Sequence, residues 1–277
     1  MPEQTDAVRA DAVRADAVRA EPGAAEAASG RVPRPGRESY GGTVRRLAGA
    51  QKPPAVGSPA YSRFVNRRIG RYLAAGAYQL GLTPNQVTGI SAVFSLAGIL
   101  TIALVRPAWW VGVLVALALA LGYAFDSADG QLARLRGGGS PAGEWLDHVV
   151  DCLKILSLHT AVLLSLWRFA DLDAGWLLLP LAYQLVDSTA FFAMTLNDQL
   201  KRGRTAPSGP IVPSLKRSLL VLPTDYGVLC LVFLLLGWRT GFLAGYGLLL
   251  AANALYLVAA LAKWYRVMAG LARGKDT

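Results

Sequence analysis

The sequence predicts an all-α membrane protein: six transmembrane helices, preceded by an amphipathic interfacial helix and a disordered N-terminal tail. Three observations predict it. Of 277 residues, 53% are hydrophobic and only 17% charged, less charge than a soluble domain of this size carries, and the mean hydropathy is +0.37. The apolar residues are gathered into runs near the ~20 residues that one crossing needs. The basic residues flank those runs, so the net charge of +10 reads as membrane topology. No nucleic-acid partner is expected.

Residues 1–58 read as a disordered tail. Asp6–Ala20 repeats Asp-Ala-Val-Arg-Ala three times. A five-residue period spirals around a helix, so the valines form no stripe that could anchor in lipid. Gly, Pro and Ser follow as in a linker, and no apolar signal-peptide core occurs in this stretch. The membrane domain is expected over 59–268, with a cytoplasmic tail over 269–277.

Tyr61, Phe64, Val65, Ile69, Tyr72 and Leu73 recur near helical spacing, with Arg63, Arg67, Arg68 and Arg71 among them. This predicts a helix lying on an anionic leaflet, its cations near the headgroups. Thr83 then suits an N-cap and Pro84 the first helical position. Six spans are placed at about 86–105, 109–128, 144–167, 175–196, 218–237 and 241–262. Pro180 and Pro223 are candidate kinks in the fourth and fifth.

Counting Lys and Arg at the span ends sets the orientation. One side carries fifteen, from Arg63 to Lys275; the other carries three, Arg106, Arg168 and Arg239. Both termini and the acidic stretch described next should therefore face the cytoplasm, in a multi-pass protein of the cytoplasmic membrane. Trp109, Trp110, Trp167, Trp176 and Trp238 fall at span ends, as in an interfacial belt.

Between the second and third spans lie Asp126, Asp129, Asp147 and Asp151. Spacings of three and four put each pair on one helix face, and the short Gly-rich connection lets the faces meet. Two unit charges ~4 Å apart repel by about 4 kcal/mol at an effective dielectric of 20. Some of the acids must therefore be protonated, or cations must bind. Arg134 and Lys154 can supply two positive charges. An all-oxygen site favours Mg²⁺ or Mn²⁺, and two such ions would balance four carboxylates. Intramembrane acids also line ion or proton pathways, so the carboxylates alone leave a transporter open. A catalytically silent membrane scaffold is a third possibility.

The stretch has further fixed features: Gly130, Ala133 and Arg134 after the first acidic pair, and Gly143 before the second. The whole pattern, D-x2-D-G-x2-A-R-x8-G-x3-D-x3-D, resembles the signature of the CDP-alcohol phosphotransferase family at all eight fixed positions. The Thr83-Pro84-Asn85 entry and the six-span count are also similar, and the resemblance covers about residues 60–265. It implies an integral membrane transferase, commonly a homodimer, that moves a phosphatidyl-type group from a CDP-alcohol to a hydroxyl acceptor and releases CMP. CDP-diacylglycerol is the expected donor. The reverse arrangement, a soluble CDP-alcohol of the CDP-inositol type and a lipid or polyol-phosphate acceptor, uses the same site. By position, the resemblance implies that Asp126, Asp129 and Asp147 hold a divalent pair. Asp151 would be the general base and would also touch a metal. Gly130, Ala133 and Gly143 would line the cytidine pocket, and Arg134 would pair with a carboxylate or phosphate.

Lys201, Arg202, Arg204, Lys216 and Arg217 form a basic group suited to the phosphate of a phosphorylated acceptor, or to topology alone. The loop lacks the arginine pattern associated with phosphatidylinositol-phosphate synthases, whereas Asn66-Arg67-Arg68 resembles branches that handle inositol phosphate. The acceptor stays open. His148 and His159 are expected to be packed and hydrogen-bonded, and Asp187 and Asp225 to bond to backbone or to each other. Cys152 and Cys230 lie in apolar runs without metal-ligand spacing.

Overall fold

The Thr83-Pro84 entry does open the first long helix. Thr83 Oγ1 accepts from the Gln86 N–H, and Gln86 Oε1 accepts from the Thr83 N–H at 2.8 Å, closing a reciprocal cap. The structure, a computed structural model, describes residues 38–51, 59–202 and 215–273. Among these there are helices and no strands. The elements are α1 (Tyr40–Gly49), a π turn (Ser62–Asn66) leading into α2 (Arg67–Gln79), α3 (Pro84–Leu104), α4 (Trp109–Leu135), α5 (Pro141–Phe169), α6 (Leu178–Lys201), α7 (Leu215–Leu220), α8 (Tyr226–Val232) and α9 (Arg239–Arg273).

α3, α4, α5, α6 with its leading turn, and α9 are the five helices long and apolar enough to cross a membrane among the described residues. Their outer faces expose Leu96, Leu117, Leu185, Phe192, Leu248 and Leu255, as lipid-facing surfaces do. The span expected at 218–237 is not one helix. It is α7, a 3₁₀ turn at Leu222–Thr224, α8, and a second 3₁₀ turn at Phe233–Leu235. Pro223 cannot donate to the ladder. Asp225 then starts a new helix, accepting from the Gly227 N–H at 3.0 Å. The same carboxylate accepts from the Ser62 N–H at 2.7 Å, so it ties the break to the π turn. Pro180 instead sits in the first turn of α6, where a missing N–H is tolerated.

Two more expectations change. Residues 40–49, read as part of a disordered tail, form α1. Its three glycines make it a poor helix by propensity, but Leu47 buries into a cluster with Ala74, Tyr78, Val87 and Leu132. Tyr40 Oη also donates to the Tyr72 carbonyl at 3.0 Å. Tertiary packing supplies what the local sequence lacks. The last helix, α9, runs on to Arg273, past the 268 expected as the end of the membrane domain. The Asp-Ala-Val-Arg-Ala repeats lie outside the described residues.

α2 buries a face of small residues, Gly70, Ala74, Ala75 and Ala77, and leaves Ile69 and Tyr72 exposed beside its arginines, as is Phe64 in the preceding π turn. The packing against α4 is close: a side chain at Gly70 would meet Ser127 Cβ at 2.9 Å. A second cluster, including Ile102, Val115, Leu119, Leu158, Phe233 and Tyr246, joins α3, α4, α5, the α8 segment and α9. It packs α3 against both α4 and α5, whose ends nearest each other in sequence carry the aspartates.

Candidate active site

α4 and α5 reverse direction through Gly137 (φ +101°) and Gly138 (φ +128°), conformations that favour glycine. Ser140 Oγ then accepts from the Gly143 N–H at 3.0 Å and caps α5, with Pro141 at its first position. α5 therefore begins three residues before the expected 144. This return brings the last turns of α4 and the first turns of α5 close enough for their side chains to meet across the space between them.

Three of the four acids meet there. Asp126, Asp147 and Asp151 each bring one carboxylate oxygen to within 4.8 Å of the others. Asp129 is held elsewhere: it is 6% exposed, and Thr88 Oγ1 of α3 donates to its Oδ2 at 2.6 Å. A cation sits among the three. Lys154 Nζ donates to Asp126 Oδ1 at 2.5 Å, Asp151 Oδ1 at 3.1 Å and Ser91 Oγ at 3.1 Å. Ser91 donates in turn to the Gly122 carbonyl at 2.8 Å. Sequence reasoning counted Lys154 only as a charge; its i,i+3 offset from Asp151 was the signal that it would lie on the acidic face. Thr88 was missed altogether, although it ends the Thr83–Thr88 stretch already marked as a helix entry.

Three cavities share the acids. The largest, of 620 Å³, is lined by Asn85, Gly130, Ala133, Arg134, Gly143 and Asp147, among others. The small residues singled out in the sequence, and Arg134, thus border one space. A methyl added at Gly130 would meet only Arg134 Nη1, at 3.5 Å, so the position opens outward. At Gly143 it would press on Asn85 Oδ1 at 3.1 Å. A 230 Å³ cavity beside Asp126 and Asp129 is bordered by Arg67, Gln131 and Gln51; Gln51 Nε2 donates to Gln131 Oε1 at 3.2 Å, which brings the end of α1 to the site. A third, of 160 Å³, lies between Asp126, Asp151 and Lys154 on one side and Tyr123, Phe191 and Tyr226 on the other.

Among the described residues of the basic group, none lines these three cavities. Arg202 forms a two-pronged pair with Glu144, with Nη1 donating to Oε2 at 3.1 Å. Lys201 ends α6 and Lys216 is exposed on α7; neither borders the aspartates. Arg204 and the Arg217 side chain lie outside the described residues. His148 stands 3.7 Å from Glu144. His159 is fully buried: Nδ1 shares a proton with Tyr246 Oη at 2.5 Å, and Nε2 faces Asp187 Oδ2 at 3.1 Å. Asp187 and Asp225 thus bond to separate partners and not to each other.

A family model described as CDP-alcohol phosphatidyltransferase matches residues 81–264. The chain belongs to this family. Among curated CDP-alcohol phosphatidyltransferases it is similar to the phosphatidylinositol phosphate synthase of Mycobacterium tuberculosis H37Rv, 38% identical over 95 residues, 34% of this chain and 41% of that protein. It is also similar to the synthase of Mycolicibacterium smegmatis, 31% identical over 121 residues, 44% of this chain and 52% of that protein. The chain thus spans about half or less of the length of these curated relatives. Among solved structures it resembles the M. tuberculosis synthase with CDP-DAG bound, at 24% identity and a TM-score of 0.49 over 73% of this chain and 94% of that one. The same synthase with manganese and citrate matches at 24% identity and 0.49, over 70% and 87%.

Proposed function

We propose that the chain transfers a phosphatidyl group from CDP-diacylglycerol to a hydroxyl acceptor and releases CMP. One observation carries this: three carboxylates lie within 4.8 Å of one another, and one of them, Asp147, also borders a 620 Å³ cavity with Gly130, Ala133 and Gly143. Family membership favours a transferase over the transporter and scaffold readings. CDP-diacylglycerol is the donor that membership of the CDP-alcohol phosphatidyltransferase family favours.

The residues fit a divalent ion. Their donors are all carboxylate oxygens, which hard cations prefer, and Asp126, Asp147 and Asp151 would hold Mg²⁺ or Mn²⁺ between them. Asp129 lines the same cavities with one oxygen committed to Thr88; a second ion would need its other oxygen. Bound there, the metal supplies charge that offsets the phosphate leaving with CMP.

The chain's own groups do the rest. Gly130, Ala133 and Gly143 let the cytidine approach the backbone, and Arg134 faces its phosphates. Asp151 takes the proton of the acceptor hydroxyl as the new O–P bond forms and the bond to CMP breaks. Lys154, held by Asp126 and Asp151, keeps that carboxylate turned into the site. The names of the relatives point to a polyol phosphate as acceptor, and Arg67 beside the 230 Å³ cavity is a cation suited to its phosphate. A second reading has its own support. The 160 Å³ cavity next to Asp151 is walled by Tyr123, Ile155 and Phe191, which suits the hydroxyl end of a neutral alcohol.

In the membrane, the segment 215–237 makes the fifth of six crossings in chain order despite its break. It runs from Ser218, beside Arg63 at 3.5 Å, to Gly237, packed on Trp109 at the far end of α4. Six crossings and the fifteen-to-three charge count put the aspartates and both termini at the cytoplasmic face of the cell membrane. The exposed Phe64 of the π turn and Ile69 and Tyr72 of α2 then lie in that leaflet. A homodimer is the expected assembly, with the outward Leu181, Leu185 and Phe192 of α6 as one available surface.

The test is direct. Purified protein with labelled CDP-diacylglycerol is offered inositol phosphate, inositol, glycerol phosphate and glycerol, and CMP and the lipid product are measured. CMP release with one of these and a labelled phospholipid is expected. Absence of CMP release with every alcohol, in protein shown to bind CDP, would overturn the reading.

A further inference from the structure

The end of the bundle opposite the aspartates carries three arginines, Arg106, Arg168 and Arg239. Charge of this sign is sparse on that side, so its placement is informative. The three come from separate links: between α3 and α4, at the end of α5, and at the start of α9. They converge. The Arg106 and Arg168 guanidinium carbons lie 5.9 and 5.1 Å from the centre of the same Phe169 ring. Arg168 also donates to the Ala103 carbonyl at 3.2 Å, which ties α5 to α3.

Between them opens a cavity of 290 Å³, with Arg106 and Arg239 at its rim. Its walls are apolar: Ile102, Val162, Leu166, Leu236 and Phe242. Asp171 and Asp173 belong to the same end of the molecule, but neither borders the cavity. Exposed Trp109, Trp110, Trp167 and Trp238 surround this end. An indole belt marks headgroup depth, so the mouth opens at the interface and the walls extend toward the hydrocarbon. A soluble anion would find cations here but waste the apolar walls. An amphiphile with a phosphate at one end satisfies both.

We propose that this cavity binds one anionic glycerophospholipid of the leaflet opposite the catalytic aspartates. Its phosphate lies between Arg106 and Arg239, and its glycerol and upper acyl carbons lie against Leu166 and Phe242. A zwitterionic lipid brings an ammonium group toward the same arginines and binds less well. The site is separate from the transferase machinery and does not depend on which acceptor that machinery uses.

The test uses the full chain in detergent micelles, with lipid retention read by native mass spectrometry. The probes are dioleoyl phosphatidylglycerol, dioleoyl phosphatidylcholine and inorganic phosphate. One phosphatidylglycerol should be retained per chain, and the double variant Arg106→Gln/Arg239→Gln should lower its affinity by about 30-fold, as two interfacial cations warrant. Arg106→Lys/Arg239→Lys should keep most of the binding, and all three proteins should keep their CDP affinity. Equal retention of phosphatidylglycerol by wild type and the Gln double variant would overturn the proposal. So would equal affinity for phosphatidylcholine, or displacement of the lipid by inorganic phosphate at equal concentration.

Discussion

Lys154→Met tests the electrostatic reading of the site most sharply. In the structure Lys154 Nζ is 2.5 Å from Asp126 and 3.1 Å from Asp151. With Asp147 added, three carboxylate oxygens lie within 4.8 Å of one another. At that separation and an effective dielectric of 20, each pair of charges repels by about 3.5 kcal/mol. Lys154 offsets part of this when no other cation is bound. Methionine fills the same volume without the charge. Removing one partner of a buried pair typically costs about 3–5 kcal/mol, so the variant should unfold at lower temperature than wild type in EDTA. A divalent ion on the same oxygens should restore much of the loss. Binding at 100 times Kd adds about 2.7 kcal/mol, and the affinity of the variant should exceed that of wild type because Lys154 no longer competes. The assay is thermal unfolding of both proteins in EDTA and across a Mn²⁺ titration. Equal Mn²⁺-induced shifts in the two proteins would refute the idea that Lys154 and the ion share these carboxylates.

Three further outcomes are expected. Asp151→Asn should abolish CMP release while CDP still binds by calorimetry; turnover within tenfold of wild type would remove Asp151 as the base. EDTA should stop turnover and Mg²⁺ or Mn²⁺ restore it, whereas activity that persists through exhaustive chelation would contradict the carboxylate clamp. Gly130→Ala separates stability from binding. The new methyl meets only Arg134 Nη1, at 3.5 Å, and replacing a helical glycine adds up to about 1 kcal/mol of stability. The variant should therefore melt no lower than wild type yet show a higher KM for the CDP-alcohol; an unchanged donor KM would take Gly130 out of the nucleotide pocket.

Much of the site was legible because its spacing is helical. Asp126 and Asp129, and Asp147 and Asp151, stand three and four apart, so any helix puts each pair on one face. The Gly-rich link between them can only be a tight return. What spacing could not supply is which oxygens meet. That depends on α3, which turns Asp129 aside through Thr88, and on Lys154, which reaches across from α5 to Asp126. The basic group after α6 was read as one set because its members are close in sequence. Among its described members, Arg202 is taken up by Glu144, which lies 58 residues away in the chain.

The sequence by itself determined that the chain is helical with segments long and apolar enough to cross a membrane, where most of its long helices begin to within a turn, and that each pair of acids shares one helix face. These are properties of periodicity, apolar length and local caps, which each segment carries alone. Only the tertiary structure decided the rest: a helix at 40–49 made from poor helix formers, an apolar segment at 218–237 broken at Pro223 and restarted by Asp225, and a lysine paired with two of three clustered carboxylates. Each of these depends on contacts between segments far apart in the chain, where burial and charge pairing outweigh local preference.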